Sequence, residues 1–413
     1  MLTAPIPENE AQRLAALYRY NILDTPREEP FERVIRLVTR LFDAPLATLT
    51  LVDRDRQWFK SSCGVTACQT DRGISFCGHV VYHGTPLIVP DTHEDPRFCD
   101  NPLVVGEPHV RFYAGVPLTT YDGWHIGVLC VQDTAPRPHG ISEAELLNLL
   151  DIAALAIDEL ELRKAQRQVD AEQEIARQVI ERATVNTCLS TPGVRHYYQP
   201  AAQLSGDILL ASRRREDAAR LFLIGDFTGH GIGAAIGVPA LAGAFYAAVE
   251  RGVDSALLLG TLNEHLHRYL PRNMFLTATL IEVENSAQQR RISVWNAGMP
   301  PPLLIHNGQV VARFASTGLP LGILPESPDE AGGAVYFDPP PGARLYAYSD
   351  GVVETRLKSG EWLGIEGLEG LLSQASPEQS FQRLTATLAH ARRLPQANSD
   401  DMTLLELDLD ALC

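Results

Sequence analysis

The chain has 413 residues, 45% hydrophobic and 21% charged, enough for two or three domains of about 150 residues with real cores. Lys and Arg number 35 against 51 Asp and Glu, a formal charge of −16, which excludes nucleic acid or an anionic membrane surface as the main partner, since both reward basic proteins. No apolar run reaches the roughly 20 residues of a membrane-spanning helix. The first residues, Met1 to Glu8, lack the basic start and apolar stretch of an export signal, so a soluble cytoplasmic protein is expected. The seven cysteines are scattered and odd in number, and read as reduced thiols rather than a disulfide framework.

In chain order, Arg33 to Phe42 places Val34, Ile35, Val38, Leu41 and Phe42 at helical spacing. Ala47 to Val52 reads as a strand closed by the polar turn Asp53 to Arg56, with a second strand starting at Gln57. Leu87 to Val89 and Gly127 to Val131 are further strands, separated by a Pro/Gly-rich stretch, Asp91 to Pro117, too long for a simple loop. A long helix starts at Ile141-Ser142, where Ser142 and Glu145 have the spacing of a capping box. It runs toward Thr191-Pro192-Gly193, and Leu162, Val169, Ala176 and Ala183 recur every seven residues as a short heptad seam. That seam fits either a helix lying on the first domain or a dimerising signalling helix. Beyond it, Ala219 to Ile224, Phe275 to Val283, Arg291 to Trp295, Arg344 to Ser349 and Met402 to Leu407 read as strands, and Gly231 to Val249 as a tightly packed helix. The pattern predicts an α+β domain with helices covering antiparallel sheets.

Four acidic sites in this last part share one arrangement, an Asp beside Gly or a second Asp at the end of an apolar strand. They are Ser205-Gly206-Asp207, Gly225-Asp226-Phe227-Thr228-Gly229-His230-Gly231, Ser349-Asp350-Gly351-Val352-Val353-Glu354 and Ser399-Asp400-Asp401-Met402-Thr403. One Asp-Gly is ordinarily a turn; four in one domain point to a site, because gathered carboxylates repel one another unless cations lie between them. An all-oxygen donor set selects hard cations, Mg²⁺ or Mn²⁺.

These stretches, with Pro200 to Ser205, Phe275 to Leu280, Asn296-Ala297-Gly298 and Gly318 to Gly322, resemble in order the SpoIIE/RsbU-type branch of the PPM (PP2C-like) metal-dependent serine/threonine phosphatases. The resemblance implies an α-β-β-α sandwich over 194–413 and a hydrolase using two Mn²⁺ or Mg²⁺ ions. Asp226 would bridge both ions, the backbone carbonyl of Phe227 would add a ligand, and Asp207, Asp350 and Asp400 would complete the shell. Asp401 would be a ligand or a neighbour that orients one. Water held between two such ions ~3.5–4 Å apart loses a proton near neutral pH and attacks phosphorus in line. His230 is a candidate general acid, or a residue that shapes the glycine turn. Two departures stand out: Leu210 replaces an Asp the family usually carries, and Met299 follows Asn296-Ala297-Gly298 where the family tends to have His.

The first part resembles a GAF domain over residues 1–160. The resemblance is carried by Asn21 to Pro26, Leu51 to Ser61, Ser75 to His79, Asp95 to Phe98, Arg111 to Leu118 and Gly127 to Asp133. It implies an antiparallel sheet flanked by helices, a pocket for an unknown small ligand, and a linking helix over 161–193 into the output domain. Cys77 and His79 read as a buried thiol and a satisfied histidine rather than ligands, and Trp58, Phe76, Phe98, Phe112 and Tyr113 as core or pocket lining. Together the two resemblances imply a homodimeric, sensor-regulated phosphatase acting on a phosphorylated protein, such as an anti-sigma-factor antagonist. Neither nucleic acid nor a membrane is expected as a partner. The competing expectation is a non-catalytic signalling scaffold with a degenerate phosphatase fold.

Overall fold

A strand that is apolar at nearly every position is stable only where both of its faces are covered. That condition shapes both units of this protein, Met1–Asp170 and Ala171–Cys413, in the computed structural model. The structure describes residues 1–184, 187–202, 204–215, 219–229, 231–285, 290–325, 333–373, 377–393 and 400–412.

In the first unit, β1 (Leu46–Val52), β2 (Arg56–Cys63), β3 (Gln69–Asp71), β4 (Leu87–Val89), β5 (Phe112–Thr119) and β6 (His125–Asp133) form one antiparallel sheet in the order β3-β2-β1-β6-β5-β4. Side chains alternate across it, as the pleat dictates. Leu129 and Val131 face α1 (Glu10–Tyr18), α2 (Glu29–Phe42) and the start of α5 (Glu143–Thr184), whereas Val128 and Cys130 face α3 (Phe76–His83) and α4 (Pro102–Val105). The predicted capping box is present: Glu145 N–H donates to Ser142 Oγ, and Ser142 N–H donates to Glu145 Oε2 at 2.7 Å. The Asp91 to Pro117 stretch holds α4 and the start of β5, neither of which its Pro/Gly content announces.

Around α3, Phe76 stacks on Tyr113 at 4.9 Å and lies 4.3 Å from Phe98, so these aromatics fill the core. The buried Cys77 thiol lies 3.5 Å from Tyr113 Oη, and His79 Nε2 lies 3.2 Å from the carbonyl of Leu2. Cys63, Cys68, Cys77, Cys99, Cys130 and Cys188 are free.

In the second unit two five-stranded antiparallel sheets face each other. One has the order β14-β11-β10-β9-β8, built from β8 (Asp207–Arg213), β9 (Arg220–Phe227), β10 (Leu276–Asn285), β11 (Arg290–Ala297) and β14 (Val335–Phe337). The other has the order β13-β12-β15-β16-β7, from β7 (Val194–Gln199), β12 (Leu303–His306), β13 (Gln309–Arg313), β15 (Arg344–Tyr348) and β16 (Met402–Asp408). Leu209, Ala211, Phe222, Ile224, Leu345 and Leu405 fill the layer between the sheets. On the outer face of the first sheet, Leu210, Leu221 and Leu223 pack under α7 (Gly237–Glu250) and α8 (Ser255–Tyr269). Beyond the second, Tyr346, Tyr348 and Leu404 pack under α10 (Gly364–Ser373) and α11 (Pro377–Ala391). The result is an α-β-β-α sandwich, and it accounts for segments such as Leu221 to Ile224 being apolar without alternation.

The structure differs from the sequence pattern at two helices. The run predicted over Gly231 to Val249 is split into α6 (Ile232–Ala235) and α7, with a turn at Ile236. Gly237 opens α7 against the Phe227 ring, where a Cβ would lie 2.5 Å from ring carbon. The long helix α5 ends at Thr184 rather than near Thr191, followed by a short 3-10 turn at Thr187–Ser190. Among the described residues no helix is long and apolar enough to cross a membrane.

Candidate active site

The acidic residues meet because of strand direction. β8 begins at Asp207 and β9 ends just past Asp226, and the antiparallel register sets these two residues opposite each other. In the facing sheet β15 ends at Tyr348 and β16 begins at Met402, again as antiparallel neighbours, so Ser349-Asp350 and Asp400-Asp401 emerge at one end of that pair.

Hydrogen bonds join the two ends. Ser349 Oγ and Thr403 Oγ1 both donate to Asp207 Oδ2, at 2.8 and 2.6 Å. Asp401 accepts the N–H of Ala201 at Oδ1 (2.6 Å) and of Gly206 at Oδ2 (2.8 Å). Asp401 N–H in turn donates to Asp400 Oδ1 at 2.9 Å. Arg392 bridges the carbonyls of Asp400 and Pro200 at 3.3 and 3.2 Å. Each of these pairs is almost 200 residues apart or spans two sheets, except Asp400–Asp401 and Arg392–Asp400.

Asp350 opens the single-turn helix α9 (Asp350–Val353), and Ser349 stands at its N-cap position without capping it, because its hydroxyl is directed to Asp207. Only glycine fits at 351: a Cβ there would lie 2.0 Å from the carbonyl oxygen of Asp401. Gly229 and Gly231 have φ of +92° and +69°, a region that L side chains avoid, so the turn after Phe227 depends on them. His230, between them, lies outside the described residues.

Electrostatics follow from this crowding. Burial pushes the Asp226 carboxyl up to about 8, with Asp207, Asp350, Asp400 and Asp401 adding repulsion. Burial likewise pushes Asp207 up to about 7, against the opposing hydrogen bonds from Thr403 and Ser349. Asp350 is raised by burial, then by Asp400 and Glu354. A protein that buries like charges this closely disfavours their ionised forms. Among the described residues, no three His, Cys, Asp or Glu side chains gather in a metal-ligating cluster. The acids are neighbours in field, and hydrogen bonds orient Asp207, Asp400 and Asp401.

The two sequence departures fall in different places. Leu210 is fully buried in the layer under α7 and α8, paired with Leu223, so an ionised carboxylate there would lack solvent. Met299 is buried between the sheets, and its sulfur accepts from Thr277 Oγ1 at 3.2 Å. Thr277 pairs with Asp226 in the β9–β10 register, so a thioether sits one side chain away from the central acid. Sequence reasoning singled out the carboxylates but not Ser349 and Thr403. Both lie inside the motifs already noted, and their hydroxyls beside Asp residues were the available signal.

Comparison with known proteins places both units. Residues 26–160 match the GAF domain family, and residues 216–410 match the family described as Stage II sporulation protein E (SpoIIE). The chain is 37% identical over 170 residues to "Cyclic di-GMP phosphodiesterase PA2567" of Pseudomonas aeruginosa, a match covering 41% of this chain and 29% of that protein. It is 26% identical over 162 residues to "Phosphoserine phosphatase RsbP" of Bacillus subtilis, covering 38% and 39%. The chain thus spans well under half the length of the curated relatives it matches. The solved SiaA-PP2C domain of Pseudomonas aeruginosa superposes with a TM-score of 0.51 at 20% identity, covering 59% of this chain and 98% of that one, a likeness of fold. Residues 26–160 of the chain thus match the GAF family and residues 216–410 the SpoIIE family, and the second unit has the PP2C-like fold.

Proposed function

We propose that the second unit is a divalent-metal-dependent phosphatase that removes phosphate from phosphoserine or phosphothreonine on a protein substrate. The observation that carries this reading is the register that sets Asp226 opposite Asp207, tied by Ser349 and Thr403 to the strand ends that carry Asp350 and Asp400; burial and these neighbouring acids raise the Asp226 carboxyl. Such crowding is costly unless cations neutralise it, and the donor set is oxygen throughout, which suits Mn²⁺ or Mg²⁺. Asp207, Asp226, Asp350 and Asp400, with the main-chain carbonyl of Phe227, would hold two ions. When bound, such ions acidify a water and neutralise charge on the phosphoryl oxygens.

The protein's own residues do the positioning. Ser349 and Thr403 fix one oxygen of Asp207 and leave Oδ1, to which no described residue donates, turned to other use. Asp401 spends both oxygens on backbone N–H groups, so its role is to hold the 200–206 segment against β16 rather than to ligate. The glycines at 229 and 231 keep the turn after Phe227 free of Cβ atoms, giving a phosphoryl group room to approach. Similarity to the phosphoserine phosphatase RsbP supports a phosphoprotein substrate of the partner-switching kind, such as an anti-sigma-factor antagonist. The GAF unit would sense a small ligand and control the output through α5 in a cytoplasmic homodimer.

The test is manganese-dependent hydrolysis of p-nitrophenyl phosphate and of a phosphoserine protein. Activity that requires the metal and falls by at least about a thousandfold in Asp226→Ala supports the reading. Two observations favour a non-catalytic scaffold instead: the apolar Met299 beside the Asp226 strand pair, and the lack of a three-residue ligand cluster among the described residues. Absence of hydrolysis would favour that alternative, whereas hydrolysis indifferent to Asp226→Ala would refute the site assignment.

A further inference from the structure

The layer between the first sheet and α3 holds two buried thiols, Cys77 of α3 and Cys130 of β6. Strand register surrounds Cys130 with polar groups. Thr48 stands opposite it on β1, with Oγ1 3.1 Å from the sulfur and 2.8 Å from Thr50 Oγ1. Gln132, two residues along the same strand, donates to the sulfur through Nε2 at 3.4 Å. On the other side Cys130 is paired with Gly115, where a Cβ would lie 2.3 Å from Tyr113 Oη. The glycine therefore leaves room for the phenol, which lies 3.5 Å from Cys77 Sγ and also hydrogen-bonds with Cys130. The two thiols hydrogen-bond with each other.

A thiol buried among apolar groups is ordinarily inert. This pair has hydroxyl, phenol and amide groups around it instead, and its two members are unlike. The Cys77 thiol, then Thr48 and Gln132, favour the anion of Cys130 against the opposing effect of burial. Cys77 is pushed the other way, by Cys130 and by burial, and keeps its proton. One sulfur is thus suited to attack and its neighbour to resolve the product, the arrangement that thiol oxidation chemistry requires. Burial also selects the oxidant. A molecule little larger than water can reach the pair by small movements of α3, whereas a bulky disulfide such as that of glutathione cannot.

We propose that Cys77 and Cys130 form a peroxide-reactive dithiol site that closes as a disulfide between α3 and β6. The Cys130 sulfur attacks one oxygen of hydrogen peroxide and the O–O bond breaks. The other oxygen leaves as hydroxide, takes up the Cys130 proton as water, and leaves Cys130 as a sulfenic acid. The Cys77 sulfur attacks that sulfur; the S–S bond forms, the S–O bond breaks, and the departing hydroxide takes the Cys77 proton as a second water. Two thiols are oxidised by two electrons and one peroxide is reduced to two waters. Because a disulfide sets its sulfurs about 2.05 Å apart, closure draws the first turn of α3 onto the sheet. Every residue involved belongs to the first unit, so the site is independent of the phosphatase reading.

Peptide mapping by mass spectrometry on the full chain tests it. Alkylation of the reduced, folded protein first caps the exposed Cys63, Cys68 and Cys99. Hydrogen peroxide follows, then catalase, unfolding and a second, distinguishable alkylating reagent. The expected product in most molecules is a pair of peptides joined through Cys77 and Cys130. Thr48→Val keeps the side-chain volume but removes the hydroxyl beside Cys130, and should slow the joining about three- to tenfold, the worth of one hydrogen bond. In Cys77→Ser, Cys130 should stop at the sulfenic acid, which dimedone traps. Circular dichroism checks the fold of each variant, and the wild type and Thr48→Val suffice should the serine variant not fold. Recovery of Cys77 and Cys130 with the second label after peroxide overturns the proposal. So does linkage of either to another cysteine, or joining at the wild-type rate in Thr48→Val. A folded Cys77→Ser protein whose Cys130 takes up no dimedone overturns it equally.

Discussion

The most discriminating perturbation of the candidate site leaves every carboxylate in place. Thr403→Val keeps the volume of the side chain and deletes one hydroxyl, the donor 2.6 Å from Asp207 Oδ2. Thr403 and Ser349 are fully buried and Asp207 nearly so, hence no water replaces the lost bond without rearrangement. A hydrogen bond to a charged group contributes roughly 1.5–3 kcal/mol. With Ser349 Oγ still bound at 2.8 Å, the carboxylate keeps one tether and gains freedom to rotate. If the ionised, oriented Asp207 is what a divalent cation meets, the loss is felt in cation affinity, about 10–100-fold, as for other partners that orient metal ligands. The metal-free protein near pH 6 should lose less, about 0.5–1.5 kcal/mol, the value of an ordinary hydrogen bond, because there the Asp207 carboxyl is largely protonated. Isothermal titration with Mn²⁺ at pH 7.5 measures the first quantity and urea unfolding the second; Thr403→Ser, which keeps the hydroxyl, should restore affinity. The reasoning fails if Thr403→Val binds Mn²⁺ as tightly as wild type while Asp207→Asn does not. If neither substitution alters binding, the cation site itself is misplaced.

Two further outcomes follow from the same residues. Asp207 and Asp226 both have folded-state values, about 7 and about 8, above the ordinary carboxyl value of 3.8. The folded protein therefore holds more protons than the unfolded chain between about pH 4 and pH 8, so without metal its stability must fall as pH rises through that window and level off above it. Thermal melts at pH 5.5 and 8.5 should show the metal-free protein less stable at the higher pH, with Mn²⁺ closing the gap; a metal-free protein equally stable at both would contradict the crowding. Gly351→Ala, whose Cβ would meet the Asp401 carbonyl at 2.0 Å, should destabilise the second unit by about 3 kcal/mol, read by urea unfolding. A change below about 0.5 kcal/mol would mean that α9 and β16 are not packed as described.

Much of this protein is legible in local pattern. The Asp53 to Arg56 turn separates β1 from β2, and the Ser142/Glu145 pair starts α5, because turns and caps are satisfied by residues a few positions away. The acidic residues could be noticed for the same reason: each sits beside Gly or Asp at the end of an apolar run. Helices such as α8, α10 and α11 were less visible. So was the break between α6 and α7, where Gly237 lies against the Phe227 ring.

The sequence by itself determined which residue types stand at the strand ends and that both faces of the strands must be covered, since hydrophobic spacing and turn chemistry are local properties of the chain. Only the tertiary structure decided that Asp207 faces Asp226, that Ser349 and Thr403 share one oxygen of Asp207, and that Asp401 is committed to backbone N–H groups. Those relations join segments as much as 200 residues apart. They arise from antiparallel registry and from the stacking of two sheets, and both are set by the packing of whole layers rather than by any one segment.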